Sequence, residues 1–431
     1  VGPVGIGPER NVSGWRTMKI LLVYPRPDVH KRTRFGFSYD LFTIATVLQS
    51  HHQVTVRDYS CEDYDPRWIM EQIECATFDL LILECDSFAL KRSQNIVHAG
   101  ELISLLKTRV PIIAYGNYCC ITNRNFAGAD YTVRVNDINA LLAQINELPG
   151  FASVPAMQGY DALPHIDRNL LLSIEFYRKN KCSTLLQTSK GCENTCVFCQ
   201  RKGWQSHHVA HSDEYVLGEL RDIRGRGYEN IWITDENFTF NLARAKRILA
   251  KIHRESLANG MNMFISSWAN IDWEFLDLAA SCNVRIISFG IESGSREILK
   301  FYRKNIELDH SAEMIRYAGG RGIFTVGNFI LGAPMETEET LEKTFALIRS
   351  CGFDQVNIKT LDYMIGSDLY DSLCDSLKSS DHVFACAENG LTGFTLAELI
   401  RKRDDFQKSY YAGHWAELVE KIRQFGRPYH L

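Results

Sequence analysis

Three cysteines, Cys192, Cys196 and Cys199, stand in the segment SKGCENTCVFCQ, with three residues between the first two and two between the second pair. Thiolates hold a 4Fe–4S cube one cysteine per iron, so three ligands leave one iron without a protein ligand. An open position of that kind is what a catalytic metal centre uses, as three-ligand zinc sites illustrate. A structural zinc site is the competing chemistry. It needs a fourth ligand, which His207, His208 or His211 could supply, and three unrelated thiols are the remaining alternative. The other isolated cysteines (Cys61, Cys75, Cys85, Cys182, Cys282, Cys351, Cys374 and Cys386) read as apolar thiols. The cysteine total of 13 is odd, and a disulfide framework is not expected in a reducing compartment.

The elements that must position those thiols follow from the apolar pattern. A strand-like run, STLLQTS (183–189), immediately precedes the cysteines, and further runs recur at 230–235, 263–267, 285–290, 324–331 and 355–361. Amphipathic stretches separate them, as at 214–224, 242–257 and 338–348. Six β/α units in sequence predict a partial (β/α)6 barrel over 183–365, with its chemistry at the C-terminal strand ends. Ahead of it, KILLVYP (19–25), HQVTVRDY (52–59), DLLIL (79–83) and PIIA (111–114) alternate with helical stretches. This pattern predicts a Rossmann-like or flavodoxin-like domain over 18–148. Residues 149–182, dense in Pro and Gly, read as a linker, 366–431 as a mainly helical extension, and 1–17 as a flexible leader. The fold class is therefore α/β.

The chain has 431 residues, 45% of them apolar, which suits two globular domains plus an extension. Its 48 basic and 52 acidic residues give a net charge of −4, so nothing draws the whole chain to a phosphate backbone and nucleic acid is not an expected partner. No run of about 18 apolar residues suggests a membrane span, and a cytoplasmic protein is the expectation.

At the cysteine segment and for about 190 residues beyond it, the sequence resembles the radical S-adenosylmethionine (SAM) superfamily, whose three cysteines have this spacing after the first strand of a six-unit barrel. The resemblance implies a 4Fe–4S cluster whose open iron is chelated by SAM and whose electron cleaves SAM to a 5′-deoxyadenosyl radical. Phe198 takes the place of the family's aromatic residue beside the SAM adenine. In ITDENF, Asp235, Glu236 and Asn237 match the polar groups facing the methionine ammonium, although a helix cap is the ordinary reading of any one of them. Glu292 and Ser293 in FGIESGS match the ribose-side segment, Lys304 a cation that meets the methionine carboxylate, and Ile330 and Leu331 in GNFILGAP residues flanking adenine. Asp362 and Tyr363, after the sixth strand, are the candidates for acid–base work on a substrate. The resemblance also implies an electron donor such as flavodoxin or ferredoxin.

The α/β domain ahead of the barrel, joined through YDALP, resembles that of the cobalamin-binding radical SAM subfamily. Where the subfamily has a glycine-rich loop after the fourth strand, this chain reads AYGNYCCI (114–121), with Tyr115, Tyr118, Cys119 and Cys120 in the loop, and VRVNDIN (133–139) follows the fifth. Side chains in a loop meant for backbone approach predict a domain without cobalamin, in which His30, Tyr39 and Glu84 are candidate substrate contacts. On this reading the chain resembles the radical SAM diol dehydratases of aminoglycoside biosynthesis. The implied reaction removes the C3′ hydroxyl of a paromamine-like substrate, and an NADPH-dependent reductase completes the deoxygenation. The alternatives are a cobalamin-dependent radical SAM methyltransferase or ring-rearranging enzyme, and a non-catalytic zinc scaffold.

Overall fold

The structure, a computed structural model, describes residues 16–25, 37–60, 64–75, 78–86, 94–107, 109–171, 174–175, 183–203, 205–378 and 380–424. Most of the expected leader, part of the linker, and His30 lie outside these residues. The described chain divides into two compact units, one built mainly from residues 16–25, 40–86 and 94–171, the other mainly from 183–424.

In the first unit five parallel strands, β1 (Lys19–Tyr24), β2 (Gln53–Asp58), β3 (Leu80–Glu84), β4 (Ile112–Tyr115) and β5 (Tyr131–Thr132), lie in the order β2-β1-β3-β4-β5. The residues of β3 and β4 are buried without exception, as expected of strands covered on both faces by helices. The strand order reverses between β1 and β3, and ligands of open α/β sheets bind outside such a crevice.

In the second unit, β6 (Thr184–Leu186), β9 (Asn230–Ile233), β10 (Asn262–Trp268), β11 (Val284–Glu292), β12 (Phe324–Leu331) and β13 (Gln355–Thr360) form one parallel sheet in the order β13-β12-β11-β10-β9-β6. All six coincide with the runs picked out by apolar pattern. Two short antiparallel pairs are additions that the pattern did not show: β7 (Ser189–Lys190) with β8 (Val209–Ala210), and β14 (Asp362–Met364) with β15 (His382–Phe384). Both involve two or three residues, too few for a period-2 signal.

The barrel helices are capped by their own sequence. Ser212 accepts from Tyr215 N, Asp272 from Phe275 N, and Thr337 forms a capping box with Thr340 ahead of the helix Glu338–Cys351, which Gly352 ends at φ 65°. Between these helices and the sheet lies a continuous core that includes Leu186, Ile233, Ile265, Ile287, Phe289, Phe329 and Leu331. The described part of the extension consists of β15 and the 29-residue helix Leu396–Gln424, with short helical turns before and after β15. That helix packs Leu399, Phe406 and Tyr410 onto the same core. No helix among the described residues is long and apolar enough to cross a membrane.

Candidate SAM and cluster site

The cysteine loop runs from β7 and is pinned at both ends. Asp235, directly after β9, is buried and accepts hydrogen bonds from Thr188 N (2.7 Å), Thr188 Oγ1 (2.6 Å) and Ser189 Oγ (2.6 Å). Burial pushes its carboxyl above the usual range, against the pull of Ser189 and Thr188. Arg244 braces the same turn through Thr188 Oγ1 (3.1 Å), Thr188 O (2.9 Å) and His211 O (2.9 Å). Glu236 accepts from Gly191 N at 2.8 Å and pairs with Arg201 Nη1 at 2.6 Å, so it clips the loop before Cys192 and after Cys199. On the far side, Val197 N donates to Tyr302 O (3.3 Å) and Leu369 N to Val197 O (3.1 Å).

Asp235 and Glu236, expected to face the methionine ammonium, thus bind the cysteine loop. Asp235→Ala should leave three buried donors without their acceptor and cost about 3 kcal/mol or more of stability. Iron content of the reconstituted variant should fall together with SAM binding. Retention of full iron with weakened SAM binding would assign Asp235 to SAM directly.

The three thiols are half-buried and electrostatically felt by one another. Burial pushes the Cys196 thiol up to about 12, with Lys304 pulling the other way, and raises Cys199 against the pull of Arg201. Metal ligation needs thiolates, so Lys304 and Arg201 supply charge where anionic sulfur has to be held. Asn194 Nδ2 donates to Cys192 Sγ at 3.2 Å. No group of three His, Cys, Asp or Glu side chains among the described residues is placed to hold a single metal ion. One tetrahedral zinc needs sulfurs roughly 3.8 Å apart, as 2.3 Å bonds require, whereas a cube takes each thiolate on a different iron and spreads them. Of the proposed fourth zinc ligands, His211 stacks on Tyr215 at 3.6 Å and His208 packs against Phe240 at 4.6 Å. Three thiolates without a fourth protein ligand are the donor set of a cube with one open iron.

The ladder between β11 and β12 slips between Gly290 and Glu292, and Glu292 itself has φ 71°. A left-handed backbone at a non-glycine residue is uncommon and gathers at functional sites. Glu292 Oε1 meets Lys304 Nζ at 3.2 Å, both groups buried. Phe198 sits edge-on to Tyr302 at 5.1 Å. It joins a cluster with Val197, Ile330, Leu361 and Tyr363. The wholly buried Tyr302 hydroxyl has no hydrogen-bond partner among the described residues, and burial, with Glu336 and Glu292 nearby, pushes its pKa well up.

Other expected residues are placed differently. Leu331 lies in the core between sheet and helices, because adjacent strand residues face opposite sides and Ile330 takes the other. Ser293 bonds Thr344 Oγ1 (3.2 Å) and accepts from Ser295 N (3.1 Å), holding a turn. Asn237 accepts from Thr239 Oγ1 and Trp268 N. Asp362 is buried with His382 Nδ1 at 3.5 Å from Oδ1, and burial raises the Tyr363 phenol. His382 escaped sequence reading, since only the β14–β15 pair brings it to Asp362. Tyr39 is the buried first residue of a helix, and in the first unit Glu84 accepts from Tyr115 Oη at 3.1 Å.

Residues 186–348 match the family model described as the Radical SAM superfamily. The second unit accordingly carries a radical SAM domain, the domain of enzymes that use a 4Fe–4S cluster and SAM. An uncharacterized methyltransferase of Pyrococcus horikoshii is 25% identical over 392 residues, 83% of each chain. The cytidylyl-2-hydroxyethylphosphonate methyltransferase of Streptomyces wedmorensis is 27% identical over 193 residues, 43% of this chain and 36% of that one. Among solved structures, the methyltransferase TsrM of Kitasatospora setae, with cobalamin and a 4Fe–4S cluster bound, superposes with a TM-score of 0.67 at 17% identity, covering 82% of this chain and 77% of that one. OxsB, a cobalamin-dependent SAM radical enzyme, gives a TM-score of 0.61 at 14% identity over 82% of this chain and 60% of that one. The relatives named here are methyltransferases and the solved neighbours hold cobalamin, so the dehydratase and cobalamin-free expectations draw no support from these likenesses.

Proposed function

We propose that the chain is a cobalamin-dependent radical SAM methyltransferase acting on a small molecule. The observation that carries this reading is the likeness to the Pyrococcus horikoshii methyltransferase over 83% of both chains, which takes in both units. In the second unit, Cys192, Cys196 and Cys199 would hold the cluster, which when bound would supply the electron for SAM cleavage. Phe198 and Ile330 line the adenine side, Glu292 receives the ribose hydroxyls, and Lys304 meets the methionine carboxylate. Asp235, Glu236 and Arg244 keep the cysteine loop in place. Asp362 and His382, with Tyr363 beside them, are the pair available to hold or move a substrate proton.

In the first unit the switch-point edge carries Tyr24, Asp86, Asn117, Glu84 and Tyr115. Tyr24 Oη donates to Asp86 at 2.9 Å and Asn117 Nδ2 to the same carboxylate at 2.5 Å. Burial, then Asp86, Glu84 and Asp58, push the Tyr24 phenol well up and keep it a neutral donor. Carboxylates and phenols suit the amide-rich rim of a corrin, and these residues would hold it.

A second reading, cobalamin-independent removal of an aminoglycoside hydroxyl, draws support from the loop after β4. It folds into the helix Asn117–Thr122 with Cys119, Cys120, Ile121 and Thr122 buried. Gly116 stands at φ 114° with room for no Cβ, which would lie 2.6 Å from Cys85 O. The loop is a packed plug where an open glycine cradle would admit a nucleotide tail.

Anaerobic reconstitution with and without hydroxocobalamin, followed by gel filtration and absorption spectroscopy, separates the two. A stoichiometric corrin signal, with a gain of about 14 mass units in a substrate panel of aminoglycoside precursors and other small molecules, is expected from one methyl group. No retained corrin, with loss of about 18 mass units, would overturn the methyltransferase reading in favour of dehydration.

A further inference from the structure

This inference rests on the reading that Lys304 meets the methionine carboxylate, and it concerns what holds Lys304 there. The Lys304 side chain is 3% exposed. A buried ammonium must replace its lost water with opposite charge, hydrogen bonds or a π face. Glu292 Oε1 supplies the first at 3.2 Å. Trp268, the last residue of β10, supplies the last: Lys304 Nζ stands 3.9 Å from the centroid of its ring. Gly290 closes another side, since a Cβ there would lie 3.0 Å from Nζ and 2.8 Å from Glu292 Oε1. Of the three N–H donors of an ammonium, Glu292 takes one, and no other hydrogen-bond acceptor for Nζ is found among the described residues. The ammonium is thus gripped by a carboxylate and an indole and keeps donor capacity for a ligand.

The main chain that carries the indole is anchored in turn. Trp268 N donates to Asn237 Oδ1 at 3.2 Å, and Ser267 Oγ donates to Trp268 O at 2.6 Å. The Thr239 hydroxyl joins the two through Asn237 Oδ1 at 3.0 Å and Ser267 Oγ at 2.6 Å. The turn after β9 is thereby tied to the end of β10, and both Cys196 and Cys199 feel the Lys304 charge.

We propose that Trp268 is a positioning residue of the SAM site, whose ring face fixes the Lys304 ammonium beside the cluster loop, with Asn237, Thr239 and Ser267 as its anchor. Asn237 then acts on SAM by holding the main chain of Trp268. The sequence gives no sign of this pairing, because Trp268 and Lys304 lie on different β/α units.

The test measures binding of radiolabelled SAM by equilibrium dialysis on anaerobically reconstituted protein, with iron content and thermal unfolding of each variant in parallel. Trp268→Leu should weaken SAM binding about tenfold at unchanged iron content, and Trp268→Phe, which keeps a ring face, should stay within about threefold. Lys304→Met should weaken binding at least as much, and adding Trp268→Leu to it should cause no further loss, since the ring acts through the ammonium. Should the leucine variant lose its cluster, Trp268→Met, similar in length and without a ring, takes its place in the same comparison. Wild-type affinity in the ringless variant beside weak binding in Lys304→Met overturns the role of Trp268 and leaves that of Lys304 standing, as would fully additive losses in the double variant. Wild-type affinity in Lys304→Met refutes the reading of Lys304 itself.

Discussion

Alanine at any one of Cys192, Cys196 or Cys199 should abolish reductive cleavage of SAM and leave the reconstituted protein short of iron and sulfide, whereas Cys374→Ala should keep both. Each of the three thiolates serves a different iron, so no remaining cysteine of the loop can stand in for a lost one. Changes to groups that only orient a metal ligand cost about 10–100-fold in affinity or activity, and loss of a ligand should exceed that. Cys374 is exposed and its sulfur lies 3.1 Å from Ser376 Oγ, in the chain beyond the barrel sheet. Iron and sulfide analysis with quantification of 5′-deoxyadenosine checks the set. Equal loss at Cys374 would mean that the ligand set extends outside the cysteine loop.

The second large effect is expected at a residue that carries no chemistry. Gly191, directly before Cys192, has φ +88°, and a Cβ there would lie 2.0 Å from His207 O and 2.8 Å from Gln205 Cγ. The first neighbour is backbone and cannot swing aside. Its own N–H is held by Glu236 at 2.8 Å, so the residue cannot relax without releasing that clip. Gly191→Ala should therefore cost about 3 kcal/mol or more, from the left-handed backbone and the clash together. Relief by moving the loop displaces Cys192 from its partners. Iron content after reconstitution should fall to that of Cys192→Ala, and thermal unfolding of the cluster-free protein should come at lower temperature than in the wild type. An alanine variant with normal iron and melting temperature would show that the loop tolerates a different path.

The six barrel strands were legible because each is a run of apolar residues bounded by helical periodicity, and the cysteine loop because its spacing is dense in a chain whose other thiols are scattered. What escaped reading is long-range. The carboxylates of Asp235 and Glu236 appear in sequence as polar groups at a strand end, with nothing to say that they clamp a loop 35 to 47 residues earlier. Leu331 and Ile330 look alike in sequence, and only strand alternation decides which of them leaves the core. His382 meets Asp362 through a three-residue antiparallel pair too short to leave a pattern. The loop after β4 shows the opposite case. Its bulky residues correctly suggested side chains where a glycine cradle would be, yet a loop composition alone does not determine whether a sheet edge holds a ligand.

The central claim is that the three-cysteine loop holds a cube whose fourth iron is open to SAM. It is tested most directly by electron paramagnetic resonance of the reduced, anaerobically reconstituted protein before and after addition of SAM. The account predicts the signal of one reduced 4Fe–4S cluster per chain, changed in shape by SAM in the wild type and lost in Cys196→Ala. A protein that binds one zinc in place of iron, or a cluster signal that SAM leaves unaltered, would contradict it.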